Sequence, residues 1–190
     1  MRRLALLLLL SIAPGVSAQR PAWTTADSLF MSGMIGHHGQ AIAMARLVPG
    51  RGSSPQVRIL AERVIVSQRD EIAAMQNWLR ERRLSVPSGD SAHEHMTHGM
   101  AAPMPGMLSA AQLAELEAAR GPEFDRLFVT LMIQHHQGAI TMVERLLRAP
   151  GAAQDGIVYR FASDMHADQS AEIDRMARML VTLPHAGRSP

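Results

Sequence analysis

The stretch Met34-Ile35-Gly36-His37-His38-Gly39-Gln40-Ala41-Ile42-Ala43-Met44 returns 98 residues later as Met132-Ile133-Gln134-His135-His136-Gln137-Gly138-Ala139-Ile140-Thr141-Met142. Met, Ile, His, His, Ala, Ile and Met recur at the same offsets, so the chain reads as two related halves. Around each histidine pair the apolar residues fall on one helical face. The first seam is Asp27, Phe30, Met34, His37, Ala41, Met44, Val48, and the second is Asp125, Phe128, Met132, His135, Ala139, Met142, Leu146, each with alternating steps of three and four.

Each histidine helix is followed by a second periodic segment. Val57, Ala61, Val64, Gln68, Glu71, Met75 and Trp78 form one seam; Val158, Met165, Gln169, Glu172, Met176 and Met179 form the other. The Gln and Glu pairs lie 101 residues apart, so the second connection is about three residues longer than the first. Expected helices are residues 26–48, 55–83, 122–149 and 155–183. Thr24 or Thr25, Ser54 and Ser109 are N-cap candidates, with Pro55 and Pro122 at first helical positions. Pro49-Gly50 and Pro150-Gly151 are expected to stop the histidine helices. Each half is then a helical hairpin with an uncovered apolar stripe. Two such hairpins bury their stripes against each other, which predicts an all-α four-helix bundle, with a short extra helix from about residue 109 to 120.

The polar seam residues carry the chemistry. Adjacent helical positions are about 100° apart, so His37 and His38 do not point at one ion as an i, i+4 pair would. Met34 lies three residues before His37 and four before His38, and Met132 stands likewise to His135 and His136. Each half can therefore present two imidazoles and a thioether to the interior. Met44 and Met142 close the motif, although methionines at helical spacing also serve as core. Glu71 and Glu172 would be paired with a histidine or a metal if buried. Hydrogen-bonded core histidines would give the same pattern without any metal. Yet a core that retains four His, two Glu and two Gln carries groups that each cost about 1–3 kcal/mol if left unpaired, and such a set calls for a use.

Residues 84–108 read as a flexible linker with Pro87, Pro103, Pro105 and no helical period. It contains His93-Glu94-His95-Met96-Thr97-His98-Gly99-Met100. Imidazole suits copper and zinc, and thioether with imidazole favours Cu(I) or Ag(I). His93, His95, Met96, His98 and Met100 are therefore candidate capture ligands.

These motifs resemble the exported, ferritin-like helical family catalogued as domain of unknown function number three hundred and five. Met-Ile-x-His-His-x-x-Ala-Ile-x-Met is its hallmark. The Gly121-Pro122-Glu123-Phe124-Asp125 lead-in and the Gln-x-x-Glu-Ile-x-x-Met runs at residues 68–75 and 169–176 match it as well. The resemblance covers residues 26–83 and 109–183. It implies copper handling through Met and His, with His37, His38, His135, His136, Glu71 and Glu172 as site residues.

Composition sets the remaining bounds. Residues 1–18 have Arg2 and Arg3, a short apolar run and Val16-Ser17-Ala18, the pattern of a secretory leader cut before Gln19. That run is too short to be a stable membrane anchor. A periplasmic or secreted protein is expected, with residues 19–83 and 109–183 as the two hairpins of one domain and 184–190 as a tail. The formal charge of +2 falls to zero without the leader, because every basic residue is arginine and two of them leave. Nucleic-acid binding thus has no electrostatic support. The chain has no Cys but 14 Met and nine His. The expected partner is a metal ion, copper as Cu(I) or Cu(II), held for sequestration, tolerance or delivery. Alternatives are a ferritin-like metal-dependent oxidoreductase and a helical interaction module with a structural polar core.

Overall fold

A computed structural model describes residues 23–89 and 104–184, with no strand among the described residues. The helices are α1 (Thr25–Ala45), α2 (Val48–Arg51), α3 (Pro55–Glu81), α4 (Ala110–Ala118), α5 (Gly121–Arg148) and α6 (Gly156–Thr182). α1 packs on α3 and α5 on α6, and the two hairpins meet along α1 and α5. This is the expected four-helix bundle, with the two histidine helices at its seam.

The helix starts follow local chemistry. Thr24 caps α1 through a reciprocal capping box with Asp27, and Ser109 does the same with Gln112 at α4. Ser54 caps α3 ahead of Pro55, and Asp155 caps α6 through the Ile157 and Val158 N–H groups. One expected stop is corrected. α1 ends at Ala45, and Pro49-Gly50 lies inside the one-turn α2. A proline in the first turn of a helix loses no hydrogen bond, so Pro49 helps to open a turn here and does not close α1. In the second half α5 does end just before Pro150, at Arg148.

The apolar core divides in two. One cluster gathers Met34, Ile35, Met75, Trp78, Val143 and Met165; the other gathers Met44, Val64, Phe124, Phe128, Met132 and Met176. Residues 37–38, 68–71, 135–136 and 169–172 lie between these groups along their helices, so the polar seam positions form a layer across the bundle.

The duplicated aspartates that open the two seams have a task the periodicity did not reveal. Asp27 is fully buried, and one oxygen accepts the Ala153 N–H at 2.7 Å from the α5–α6 connection. Asp125, equally buried, accepts from the Ser53 N–H and hydroxyl and from the Ser54 N–H at 2.8 Å, in the connection that precedes α3. Each histidine helix therefore fastens the loop of the other hairpin. Charge-assisted hydrogen bonds of this kind contribute about 1.5–3 kcal/mol each, which fixes the relative height of the two hairpins and hence of the two histidine pairs.

Residues 104–108, at the end of the stretch read as linker, are corrected too: they lie on the bundle as a strap. Gln40 holds the strap at both backbone polar atoms of one residue, accepting the Leu108 N–H at 2.8 Å and donating to the Leu108 carbonyl at 3.2 Å. α1 is consequently buried all round from Met34 to Ile42, where the seam alone predicted one covered stripe.

Candidate metal centre

All four seam histidines are buried, each no more than 1% exposed. In the second half the His136 Nε2–H donates to Glu172 Oε2 at 2.8 Å. In the first half the His38 Nε2–H makes the equivalent bond to Glu71 Oε2. His37 Nε2–H donates to the Pro105 carbonyl of the strap at 3.0 Å, and His135 Nε2–H donates to the His37 backbone carbonyl at 3.0 Å. A carbonyl only accepts, so Nε2 carries the proton in both of those rings, and the carboxylates set the same tautomer in the other two. In the neutral rings Nδ1 is then the lone-pair nitrogen. The Nδ1 atoms of His37, His38 and His136 are buried and have no hydrogen-bond partner. Three basic nitrogens without a partner in a buried layer are costly as structure and useful as ligands.

His37 and His135 face each other across the α1–α5 seam with ring centroids 3.9 Å apart and planes inclined by 39°. Burial, and then the neighbouring His38, lower the His37 pKa from 6.5 to about 3. Burial, and then His37, hold His135 well below the ordinary imidazole range. Two imidazolium rings at this distance in a buried layer would repel, and the pair stays neutral. Burial pushes Glu172 upward, but the hydrogen bond from His136 and the charges of Arg175 and Arg63 outweigh it, so its pKa lies below the usual glutamate value.

Glu71 and Glu172 are the route from this layer to solvent. Their side chains are 19% and 14% exposed. Both line a groove of about 560 Å³ between α3 and α6, with Glu62, Asp70 and Asp168 as further acids and Arg63 and Arg175 as the bases. The groove is acidic and open, and it ends on the two carboxylates that hold the inner histidines.

The other expected ligands divide by location. Met34 and Met132 are fully buried in opposite clusters, and Met44 lies in the same cluster as Met132. Met142 is half-buried beside Gly33. His93, His95, Met96, His98 and Met100, like residues 1–18, lie outside the described residues. Among the described residues no three His, Asp or Glu side chains converge as a ready-made cation site.

Sequence reasoning missed the strap, although a signal for it exists. The internal repeat departs from itself at Gly33/Leu131, Gly36/Gln134 and Gln40/Gly138, and these positions meet the strap. Gln40 clamps Leu108, Gln134 Nε2 donates to the Gly106 carbonyl at 3.5 Å, and Gly138 leaves room for it. A Cβ on Gly138 would lie 2.1 Å from the Pro105 oxygen and 2.5 Å from Gly106 Cα. Symmetry of the repeat is broken where one asymmetric segment crosses a symmetric seam.

That geometry gives a sharp expectation. Gly138→Ala removes a helix-interior glycine, a gain of about 1 kcal/mol, but its methyl collides with backbone that cannot rotate away. Overpacking of about 1–3 kcal/mol falls on the strap, so the strap is expected to lift. Hydrogen exchange at the Leu108 amide should accelerate strongly in Gly138→Ala. In Gly33→Ala, where the new Cβ meets nothing closer than 3.5 Å, it should not change. Equal protection in both variants would mean that the strap is not packed as described.

Comparison with known proteins places this geometry. The family model described as "Domain of unknown function (DUF305)" matches residues 27–180. A DUF305 fragment from Deinococcus radiodurans is 30% identical, with a TM-score of 0.71 over 86% of this chain and all of that one. A DUF305 protein from Streptomyces coelicolor, described as a candidate secreted protein, is 29% identical with a TM-score of 0.68 over 83% of this chain and 93% of that one. CopM in its Cu(I)-bound form is 28% identical with a TM-score of 0.61 over 84% of this chain and 97% of that one; CopM structures with Cu(II) and with Ag also match. An uncharacterized protein of Acanthamoeba polyphaga mimivirus is 40% identical over 58 residues, which span 30% of this chain and 38% of that protein. No described helix is long and apolar enough to cross a membrane.

Proposed function

The chain belongs to the DUF305 family, and from that premise we propose that it is an exported copper-binding protein that sequesters or delivers the ion through its paired histidines. The observation that carries the reading is the set of buried, unpartnered Nδ1 atoms on His37, His38 and His136. A neutral imidazole whose other nitrogen is tied to a carboxylate or a carbonyl is an oriented, electron-rich ligand. Copper and silver accept imidazole and thioether together, and Met34 and Met132 stand one turn before the histidines. In this arrangement Glu71 and Glu172 orient His38 and His136 and offer negative charge toward the groove. CopM, solved with Cu(I), Cu(II) and Ag, supports the choice of metal. The leader pattern of residues 1–18 supports export, where copper tolerance or delivery is needed.

The test compares Cu(I) affinity, by competition with a chromogenic chelator, in three chains. One is wild type. One replaces His37, His38, His135 and His136 by Ala. The third replaces His93, His95, Met96, His98 and Met100 by Ser. Loss of tight copper in a still-helical quadruple variant is the expected result. Loss only in the third chain would make the core histidines structural and the segment 93–100 the functional part. A wild type without copper affinity would end the copper reading.

A further inference from the structure

We infer that Met104 and Met142 form a second binding site, selective for a soft monovalent cation such as Cu(I) or Ag(I), where the strap crosses α1. This rests on the copper reading above and adds a site outside the histidine layer.

The argument begins at Gly33. It sits within α1, where glycine costs about 1 kcal/mol relative to alanine. Its repeat counterpart is Leu131, 5% exposed and packed in the core, so the bundle accommodates a full side chain at the matching place. At Gly33 the space is taken from elsewhere. A Cβ there would meet Met104 Sδ at 3.5 Å and Met142 Cε at 3.7 Å. The sulfur of Met104, from the strap, and the methyl group of Met142, from α5, thus both lie over the bare backbone of α1.

The pair is held in place. Pro105, next to Met104, is fixed by its carbonyl on His37 Nε2–H, and Leu108 is fixed by Gln40. Met142 is carried on α5, one turn after Gly138, the residue against which the strap packs. Both methionines are half-buried, whereas Met31, Met34, Met44, Met75, Met132 and Met176 are at most 1% exposed. Solvent can therefore reach the pair. His37 follows Gly33 by one turn, so the site adjoins the histidine layer.

The donor set decides the cargo. A thioether bears no charge and binds no proton near neutral pH. It gives Mg²⁺ or Ca²⁺ nothing to replace their water, and Cu(II) prefers nitrogen and oxygen. A monovalent d¹⁰ ion is satisfied by two sulfurs. The strap joins the His- and Met-containing segment 93–100 to the bundle, so an ion on Met104 and Met142 would stand between capture and core.

The test uses the whole chain with ¹³C-labelled methionine methyl groups, titrated with silver nitrate in chloride-free buffer. The Met104 and Met142 methyl signals, assigned with Met104→Leu and Met142→Leu, are expected to move together. Each Leu variant should abolish the response of the other methionine, and Gly33→Leu should abolish both while all methionines remain. Mg²⁺ should move neither. If Gly33→Leu does not fold, the two Leu variants decide. Silent methyl groups, or a Met142 response that survives Met104→Leu, would reduce the pair to packing. Copper bound by the histidines in that same preparation would leave the core site standing. A wild type that binds neither copper nor silver overturns both.

Discussion

Glu71→Gln and Glu172→Gln are each expected to weaken copper binding about 10-fold, and the corresponding Ala variants up to about 100-fold, the usual range for groups that orient a metal-bound histidine. The graded outcome follows from what each replacement keeps. Gln retains an oxygen that accepts the His Nε2–H, so the ring keeps its tautomer and its angle and loses only the adjacent charge. Ala removes the acceptor as well, leaving the imidazole free to rotate and to place its proton on Nδ1, where it blocks the lone pair. Neither change should unfold the chain, because both carboxylates reach the α3–α6 groove and water can replace them. If Glu and His were both direct ligands, Gln and Ala would be equally damaging and the oxygen would vanish from the X-ray absorption spectrum of the bound copper. Affinity equal to wild type in all four variants would remove the carboxylates from the site altogether.

The bundle was legible because its signal is redundant. Two seams of seven positions, repeated 98 residues apart, leave few ways to bury their apolar faces. The identity of the polar layer was legible for the same reason: His37, His38, Glu71 and their counterparts interrupt an apolar period twice at the same offsets. What pairs with what was not legible. Whether a glutamate meets a histidine depends on the height of one helix against another. That height is set by loop contacts such as Asp125 on Ser53 and Asp27 on Ala153. These are a few hydrogen bonds between residues far apart in sequence and leave no period. The strap was hidden because residues 104–108 have no helical pattern and carry the same Pro and Gly as an idle linker. Their trace is the mismatch of Gln40 with Gly138, of Gly36 with Gln134 and of Gly33 with Leu131.

The metal-free chain is expected to lose stability with acid well above the range where carboxylates titrate. His37 has a pKa of about 3 in the fold against 6.5 unfolded. Between those values the unfolded chain binds a proton that the folded chain refuses. Stability is then complete above pH 6.5 and falls by about 1.4 kcal/mol per pH unit as pH drops toward 3. His135 shifts in the same direction and makes the fall steeper. Glu172, whose pKa is lowered from 4.5, adds loss of the same sign at still lower pH. Against a typical domain stability of about 5–15 kcal/mol, a loss of this sign is large enough to read before the carboxylates titrate. Urea midpoints measured from pH 7.5 to 4.5 read this directly, and a double His37→Gln, His135→Gln variant should flatten the curve between pH 6.5 and 5. A wild-type curve already flat there would mean that the histidine layer is wet or charged in the folded protein. With copper bound the same curve should lie higher, because the ion adds its binding energy to the folded state, where these lone pairs are already free of protons. Release of copper and loss of the fold would then come together as pH falls, which couples cargo and stability through the same nitrogens.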